Sequence, residues 1–242
     1  MNRTCDVIVL GLGAMGSATA ACLAERGLRV AGFDAFTSPH NLGSSHGRTR
    51  IFRQAYFEDP GYVELLLRAR ALWTRLERDT GMPLFHTTGA LMIGPASGKL
   101  VAGSALSARQ FSLPHEMLSA AALRRRWPAF LVPDDAIALL EPNAGHLSPE
   151  LCIEQFLAQA ALHGADLHRS EPVTEWQATT SGVTVTTAQG TWSAGHIIIT
   201  GGPWTPQILA DLQLPLRVTR QAVFWFEPTA PMDSFREDRF PR

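Results

Sequence analysis

The sequence predicts an α/β protein built on a parallel sheet with a β-meander. Three observations predict it. The first 34 residues run strand, glycine turn, helix, strand and acid in that order. Two helical stretches follow, starting at Asp59-Pro60 and Ser148-Pro149. The stretch from Pro172 to Thr187 then alternates in the manner of an antiparallel meander, and a buried strand, His196 to Thr200, comes after it.

The opening strand is Cys5 to Leu10, short, β-branched and apolar. Gly11-Leu-Gly13-Ala-Met-Gly16 turns into an alanine-rich helix, Ala14 to Arg26, which Gly27 ends. Leu28 to Phe33 is a second strand and Asp34 closes it. In such a turn Gly11 permits the tight bend, Gly13 leaves room for a pyrophosphate, and Gly16 lets helix and sheet approach. Ala14 and Met15 open the helix, whose unpaired amides and positive dipole end suit an anion. Asp34 lies where an acid can accept hydrogen bonds from ribose hydroxyls. No arginine follows it directly, which disfavours a 2′-phosphate and so NADP. These features predict dinucleotide binding and leave NAD and FAD as alternatives.

The next segment, Ser38 to Arg53, has no acid and carries Arg48, Arg50 and Arg53. Its position after the second strand puts it near the ligand-binding ends of the sheet. Arginine forks there suit a carboxylate or phosphate. In the helix from Asp59-Pro60, Leu65, Ala69, Leu72, Trp73 and Leu76 recur at helical spacing, which predicts a buried stripe with Trp73 in the core, and Gly81 ends it. Leu84 to Ile93 gives short strands broken at Gly89. In the helix from Ser148-Pro149, Cys152, Phe156 and Ala160 share a face, and Gly164 lies beyond its end. Turns at Ser181-Gly182 and Gln189-Gly190 divide the meander. Arg217 to Phe226 alternates like another strand. Glu77 and His86 have no partner at motif spacing and read as surface and turn residues.

The bulk numbers narrow the function classes. A length of 242 residues suits one large domain or two modest ones. A net charge of -1 gives no basic surface for nucleic acid. The three cysteines, Cys5, Cys22 and Cys152, lack CxxC spacing, so neither zinc nor a disulfide framework is expected, and a reducing, cytoplasmic setting is. No metal-ligand spacing appears. The uncharged run from Val7 to Ala24 could pass for a signal or membrane segment, but its glycines and the strand after it argue for neither.

Gly11 to Gly16, Asp34-Ala-Phe36 with Pro39-His40, and Gly43-Ser-Ser-His-Gly-Arg-Thr-Arg-Ile-Phe-Arg-Gln-Ala-Tyr56 together resemble the monomeric sarcosine oxidase and N-methyl-tryptophan oxidase family. The likeness continues through Thr88 to Gly94, Arg126-Trp-Pro128, Glu141 to Gly145 and Thr200 to Trp204. It implies a Rossmann-like FAD-binding domain, residues 1–83 and 146–213. It also implies an incomplete α+β substrate domain with an antiparallel sheet, residues 84–145 and 214–242, in which Arg217 to Phe226 is an early strand. FAD is the implied cofactor, held at its ADP end by Gly11, Gly13, Gly16 and Asp34, with Ala14 and Met15 at the helix start. Ser45, His46, Thr49 and Arg50 would lie along the flavin, and Gly201 near it. Val173 would meet the adenine through its backbone. Arg53 would bind the substrate carboxylate. The implied catalytic set is Arg50, Arg53 and His46.

The implied reaction oxidises the C–N bond of a secondary amino acid of the sarcosine, N-methyl amino acid or pipecolate type, using O2 and giving H2O2. Arg48 and Gln54 depart from the acid and histidine of many bacterial relatives, which bears on the substrate more than on the cofactor. Relatives continue past Arg242 with an FAD-attachment cysteine and lysines near substrate and oxygen, and none of the three cysteines here matches the attachment cysteine. The alternative is therefore a truncated, non-catalytic flavin-binding remnant, or half of a split enzyme that needs a partner chain. An NAD-dependent dehydrogenase is disfavoured by the His46-to-Arg53 run.

Overall fold

The computed structural model describes every residue except 1, 225, 228, 230, 231, 237, 238 and 242. The chain runs β1 (Asn2–Leu10), α1 (Ala14–Glu25), β2 (Val30–Asp34), β3 (Arg50–Phe52), α2 (Tyr62–Thr80), β4 (Phe85–Thr87), β5 (Ala90–Pro95) and α3 (Lys99–Gln110). It continues through β6 (Glu116–Ser119), α4 (Ala120–Arg126), β7 (Ala136–Glu141), β8 (Gly145–Leu147), α5 (Pro149–Leu162) and β9 (Asp166–Arg169). Last come β10 (Val173–Thr179), β11 (Gly182–Thr187), β12 (Gly190–Ile199) and the short α6 (Thr205–Ile208). Two compact units result: Met1–Arg48 with Ser148–Ala222, and Thr49–Leu147 with Val223–Arg242. The first crossing falls at 48/49, inside the arginine-bearing segment, and not near residue 83 as the sequence suggested.

The first unit is one six-stranded sheet in the order β10-β11-β12-β1-β2-β9. β1 pairs parallel with both β2 and β12, and β2 pairs parallel with β9. β10 and β11 add antiparallel. Period-2 alternation sends neighbouring side chains to opposite faces. Val9 and Val30 meet α1 and α5, where Ala20, Ala21 and Ala24 pack on Ile153, Leu157 and Ala160. Ile8, Ala31 and Phe33 face the other way, against Val183, Val185 and Trp192. Ile8, Val9 and Phe33 are almost wholly buried, each worth about 1.5–3 kcal/mol. The small side chains of α1 let it lie close to α5. Gly27 ends α1 at φ 83°, with its N–H on Ala24 O at 2.9 Å and that of Leu28 on Leu23 O at 3.2 Å. This pair of bonds satisfies the last carbonyls of the helix.

One correction concerns the end of the meander. The sequence suggested a meander followed by a separate strand from His196. The structure has a single strand, β12, whose first residues pair with β11 while nearly its whole length pairs with β1. Gly195 and the exposed His196 interrupt the apolar pattern, and the pairing with β1 skips Asp6 and Gly195 but resumes in the same register at Val7 and His196.

The second unit holds two antiparallel three-stranded sheets, β3-β8-β4 and β5-β7-β6. β7 alternates in the same way. Leu139 packs with Met92, Val101, Ala105 and Ala108 of β5 and α3. Ala138 and Leu140 pack with Leu118 and Leu123 of β6 and α4. Among the described residues no helix is long and apolar enough to cross a membrane.

Three further expectations fail here. In α2 only Val63 and Leu76 are buried, while Leu65 is 67% and Leu72 41% exposed and Trp73 is half-buried. A helical stripe is buried only where another element meets it; here Val63 enters the core with residues of β5 and α3, and the helix otherwise packs mainly on β4. The described residues between Arg217 and Phe226 form no strand. An alternating pattern becomes a strand only by pairing, and none of the described strands lies beside it. Finally, Glu77 and His86 are not idle. The Glu77 carboxylate accepts the N–H groups of Leu84 and Phe85 at 2.9 and 2.8 Å. His86 lies within β4 and stacks on His146 across the sheet, with ring centroids 4.8 Å apart.

Candidate functional site

The glycine turn separates two kinds of constraint. Gly11 has φ 97°, and a side chain there would stand 2.5 Å from the Thr200 carbonyl oxygen. At Gly16 a Cβ would come within 1.7 Å of Gly11 O and 2.6 Å of Thr200 Oγ1. Both glycines are required by the fold itself. Gly13 differs: a Cβ there would meet only Ser45 Oγ, at 3.6 Å. The protein leaves that space open, and a diphosphate is the kind of group that would need it. Thr200 locks the turn from beside it, its hydroxyl 2.7 Å from Gly11 O.

A cavity of about 770 Å³ opens at this turn, wholly within the first unit. That volume suits a large organic ligand. The start of α1 faces it, with the Ala14 N–H donating to Ser45 Oγ at 3.3 Å. Asp34 stands at the end of β2, 7% exposed. Its Oδ2 accepts the Leu12 N–H at 2.7 Å and its Oδ1 the Phe36 N–H at 2.9 Å. Asp34 therefore ties the glycine turn to the β2 loop and still borders the cavity.

Of the residues expected at a site, Gly11, Gly13, Ala14, Met15, Asp34, Ser45, Val173 and Gly201 line this cavity. Gly16 lies beneath it, buried against Gly11 and Thr200. His46 is half-buried outside the lining, with its Nδ1 2.5 Å from Gly43 O. Thr49, Arg50 and Arg53 belong to the second unit. Arg50 begins β3 opposite Leu147 and donates to the Thr49 carbonyl at 2.9 Å. Arg53 pairs with Glu58 at 2.9 Å, its guanidinium 4.7 Å from the Tyr56 ring and 4.8 Å from the Phe57 ring.

Sequence reasoning missed several contributors. Ser38 donates to Leu12 O at 2.5 Å and fixes the loop leaving β2. Phe36, His40 and Trp204 form an aromatic wall, with Phe36 4.9 and 5.5 Å from the other two rings. Glu150, in the first turn of α5, accepts the Gly47 N–H at 2.9 Å. In the second unit Glu141 is 1% exposed and accepts the N–H groups of Gln54 and Ala55 at 2.7 and 3.0 Å. Burial pushes its carboxyl pKa up, against the opposing pull of those two amides and of Arg53. A buried acid closing the apolar run of β7 was the available signal for Glu141. Among the described residues no group of three or more His, Cys, Asp or Glu is placed to hold a metal ion.

The sequence pattern of one family, FAD dependent oxidoreductase, matches residues 6–242. The chain belongs to that family. FAD is the family's cofactor, and the open space at Gly13, the facing helix start and the cavity size fit it. The chain is 46% identical over 241 residues to a monomeric sarcosine oxidase of Streptomyces avermitilis, covering 100% of this chain and 63% of that protein. It is 38% identical over 222 residues to an N-methyl-L-tryptophan oxidase of Yersinia pestis, covering 92% of this chain and 59% of that one. The chain thus spans roughly three fifths of the length of these relatives. Among solved structures, the open form of NikD, an unusual amino acid oxidase essential for nikkomycin biosynthesis, superposes with a TM-score of 0.78 at 31% identity. That match covers 87% of this chain and 54% of NikD.

Proposed function

We propose that this protein is an FAD-dependent amine oxidase that acts on the C–N bond of a secondary amino acid of the sarcosine, N-methyl amino acid or pipecolate type. The observation that carries the reading is the cavity at the Gly11-to-Gly16 turn, on a chain 46% identical to a monomeric sarcosine oxidase. When bound, FAD would supply the two-electron oxidation, with O2 as final acceptor and H2O2 as product. The start of α1, with Gly13, Ala14 and Met15, would hold the diphosphate, where backbone amides and the helix dipole favour negative charge; Ser45, expected along the flavin, accepts the Ala14 N–H and would serve the diphosphate end instead. Asp34 would accept ribose hydroxyls on the lone pairs that Leu12 and Phe36 leave unused. The Val173 backbone would meet the adenine. His46, Thr49, Arg50 and Gly201 would serve the flavin end.

Arg53 would bind the substrate carboxylate as a bidentate fork. Its guanidinium is engaged by Glu58, a 42%-exposed acid, so substrate would replace one carboxylate with another. Fixing the carboxylate would orient the amine for oxidation. The reducing, cytoplasmic setting suggested by the cysteines agrees with this reading.

The test is direct. Purified chain should take up FAD with a yellow spectrum and release peroxide with N-methyl amino acids. Colour without peroxide would support instead a flavin-binding chain that needs a partner for turnover. Failure to bind FAD at all would overturn the proposal.

A further inference from the structure

We infer that Glu141 is the positioning residue for Arg53, acting through the backbone of the two residues that follow the arginine. The inference rests on the reading above, in which Arg53 recognises the substrate carboxylate, and adds what holds that arginine in place.

Three observations carry it. Glu141 ends β7, a strand fixed on both edges by β5 and β6. Its two carboxylate oxygens are divided between consecutive amides, Oε1 on Gln54 and Oε2 on Ala55. An acid shared in this way fixes the direction of the chain as well as its position, because rotating either peptide breaks one bond. The far side of the same segment is held too. Ser107 of α3 donates to the Tyr56 carbonyl at 2.5 Å. One turn earlier Gly103 leaves room for the Phe57 carbonyl, which a Cβ would approach to 2.5 Å. The backbone from Gln54 to Phe57 is thus held between β7 and α3. Tyr56 and Phe57, the rings beneath the Arg53 guanidinium, belong to that held stretch.

A buried carboxylate is a costly way to satisfy two amides unless something gains from the rigidity. The gain here is a guanidinium whose ring platform and backbone root are both set before a ligand arrives. Such preorganisation lowers the ordering cost of binding. Replacing Glu141 by Gln keeps the shape but turns an NH2 toward an N–H donor, so one amide loses its acceptor.

The experiment compares wild type with Glu141→Gln, each as the FAD-loaded 242-residue chain. Amide hydrogen exchange is read at residues 53–57, and sodium acetate, the simplest carboxylate probe, is titrated calorimetrically. The expected result is exchange and acetate dissociation constant each raised about tenfold, as loss of roughly one buried hydrogen bond implies, with FAD affinity unchanged. Ser107→Ala, which releases the same segment from the α3 side, should move both readouts in the same direction and carries the test if Glu141→Gln does not fold. A folded variant with faster exchange but unchanged acetate affinity would overturn the inference, leaving Glu141 a purely structural clamp. If wild type binds acetate no better than Arg53→Ala, the carboxylate role of Arg53 fails, and this inference fails with it. Unchanged exchange would refute the clamp itself.

Discussion

Gly13 and Gly16 stand three residues apart and answer to different demands. At Gly16 an added methyl would collide with backbone, which cannot give way cheaply. At Gly13 it would only touch a serine hydroxyl. Gly16→Ala should therefore lower the urea midpoint by the equivalent of about 1–3 kcal/mol. Gly13→Ala should leave the midpoint within about 0.5 kcal/mol and weaken FAD binding in a fluorescence titration. Equal loss of stability in both variants would contradict this division. Glu141 gives a second residue-scale prediction. Its folded pKa lies above the ordinary value of 4.5, so folding favours its protonated form. That contribution to stability is complete below the ordinary value and is lost as pH rises through the folded one. Unfolding free energies of wild type minus those of Glu141→Gln should accordingly fall with rising pH over that window. A flat difference would mean that burial does not govern this group.

At the scale of elements, legibility followed the range of the interactions. β1, α1 and β2 could be read from sequence because glycine spacing, alanine content and β-branched runs are local signals, even though the sheet they enter joins β1 to β12 and β2 to β9 from far along the chain. Cys152, read onto one helix face with Phe156 and Ala160, is buried. The stripe of α2 and the alternation after Arg217 carry equally clear local patterns, yet Leu65, Leu72 and Phe226 are exposed. Period tells which face is apolar, whereas burial also needs a neighbour, and the neighbour is not written in the same residues. The site divides along the same line. Gly11 and Asp34 could be placed beside the cavity because their spacing is a local signal, and Ser45 was placed by family resemblance. Glu141 was not, since it acts on Gln54 and Ala55 from 87 and 86 residues away. Glu150, which reaches Gly47 across 103 residues, escaped notice for the same reason.

For the whole molecule, the division at 48/49 makes a prediction about ligand response. The cavity belongs entirely to residues 1–48 and 148–222. A ligand that binds only the folded form stabilises by about 2.7 kcal/mol at a hundredfold excess over its dissociation constant. FAD should therefore slow amide exchange in β1, β2, β10 and the start of α1 more than in β5 and β7. Equal protection in both units would count against a cofactor held mainly by the first.

The shared ladder of β12 has a consequence for how this sheet comes apart. Because one uninterrupted strand is laced to β11 on one edge and to β1 on the other, the peripheral ribbon has no seam at which to peel. Its loss would drag away the central register on which the glycine turn is mounted. Loss of β12 should therefore open the nucleotide cleft with it.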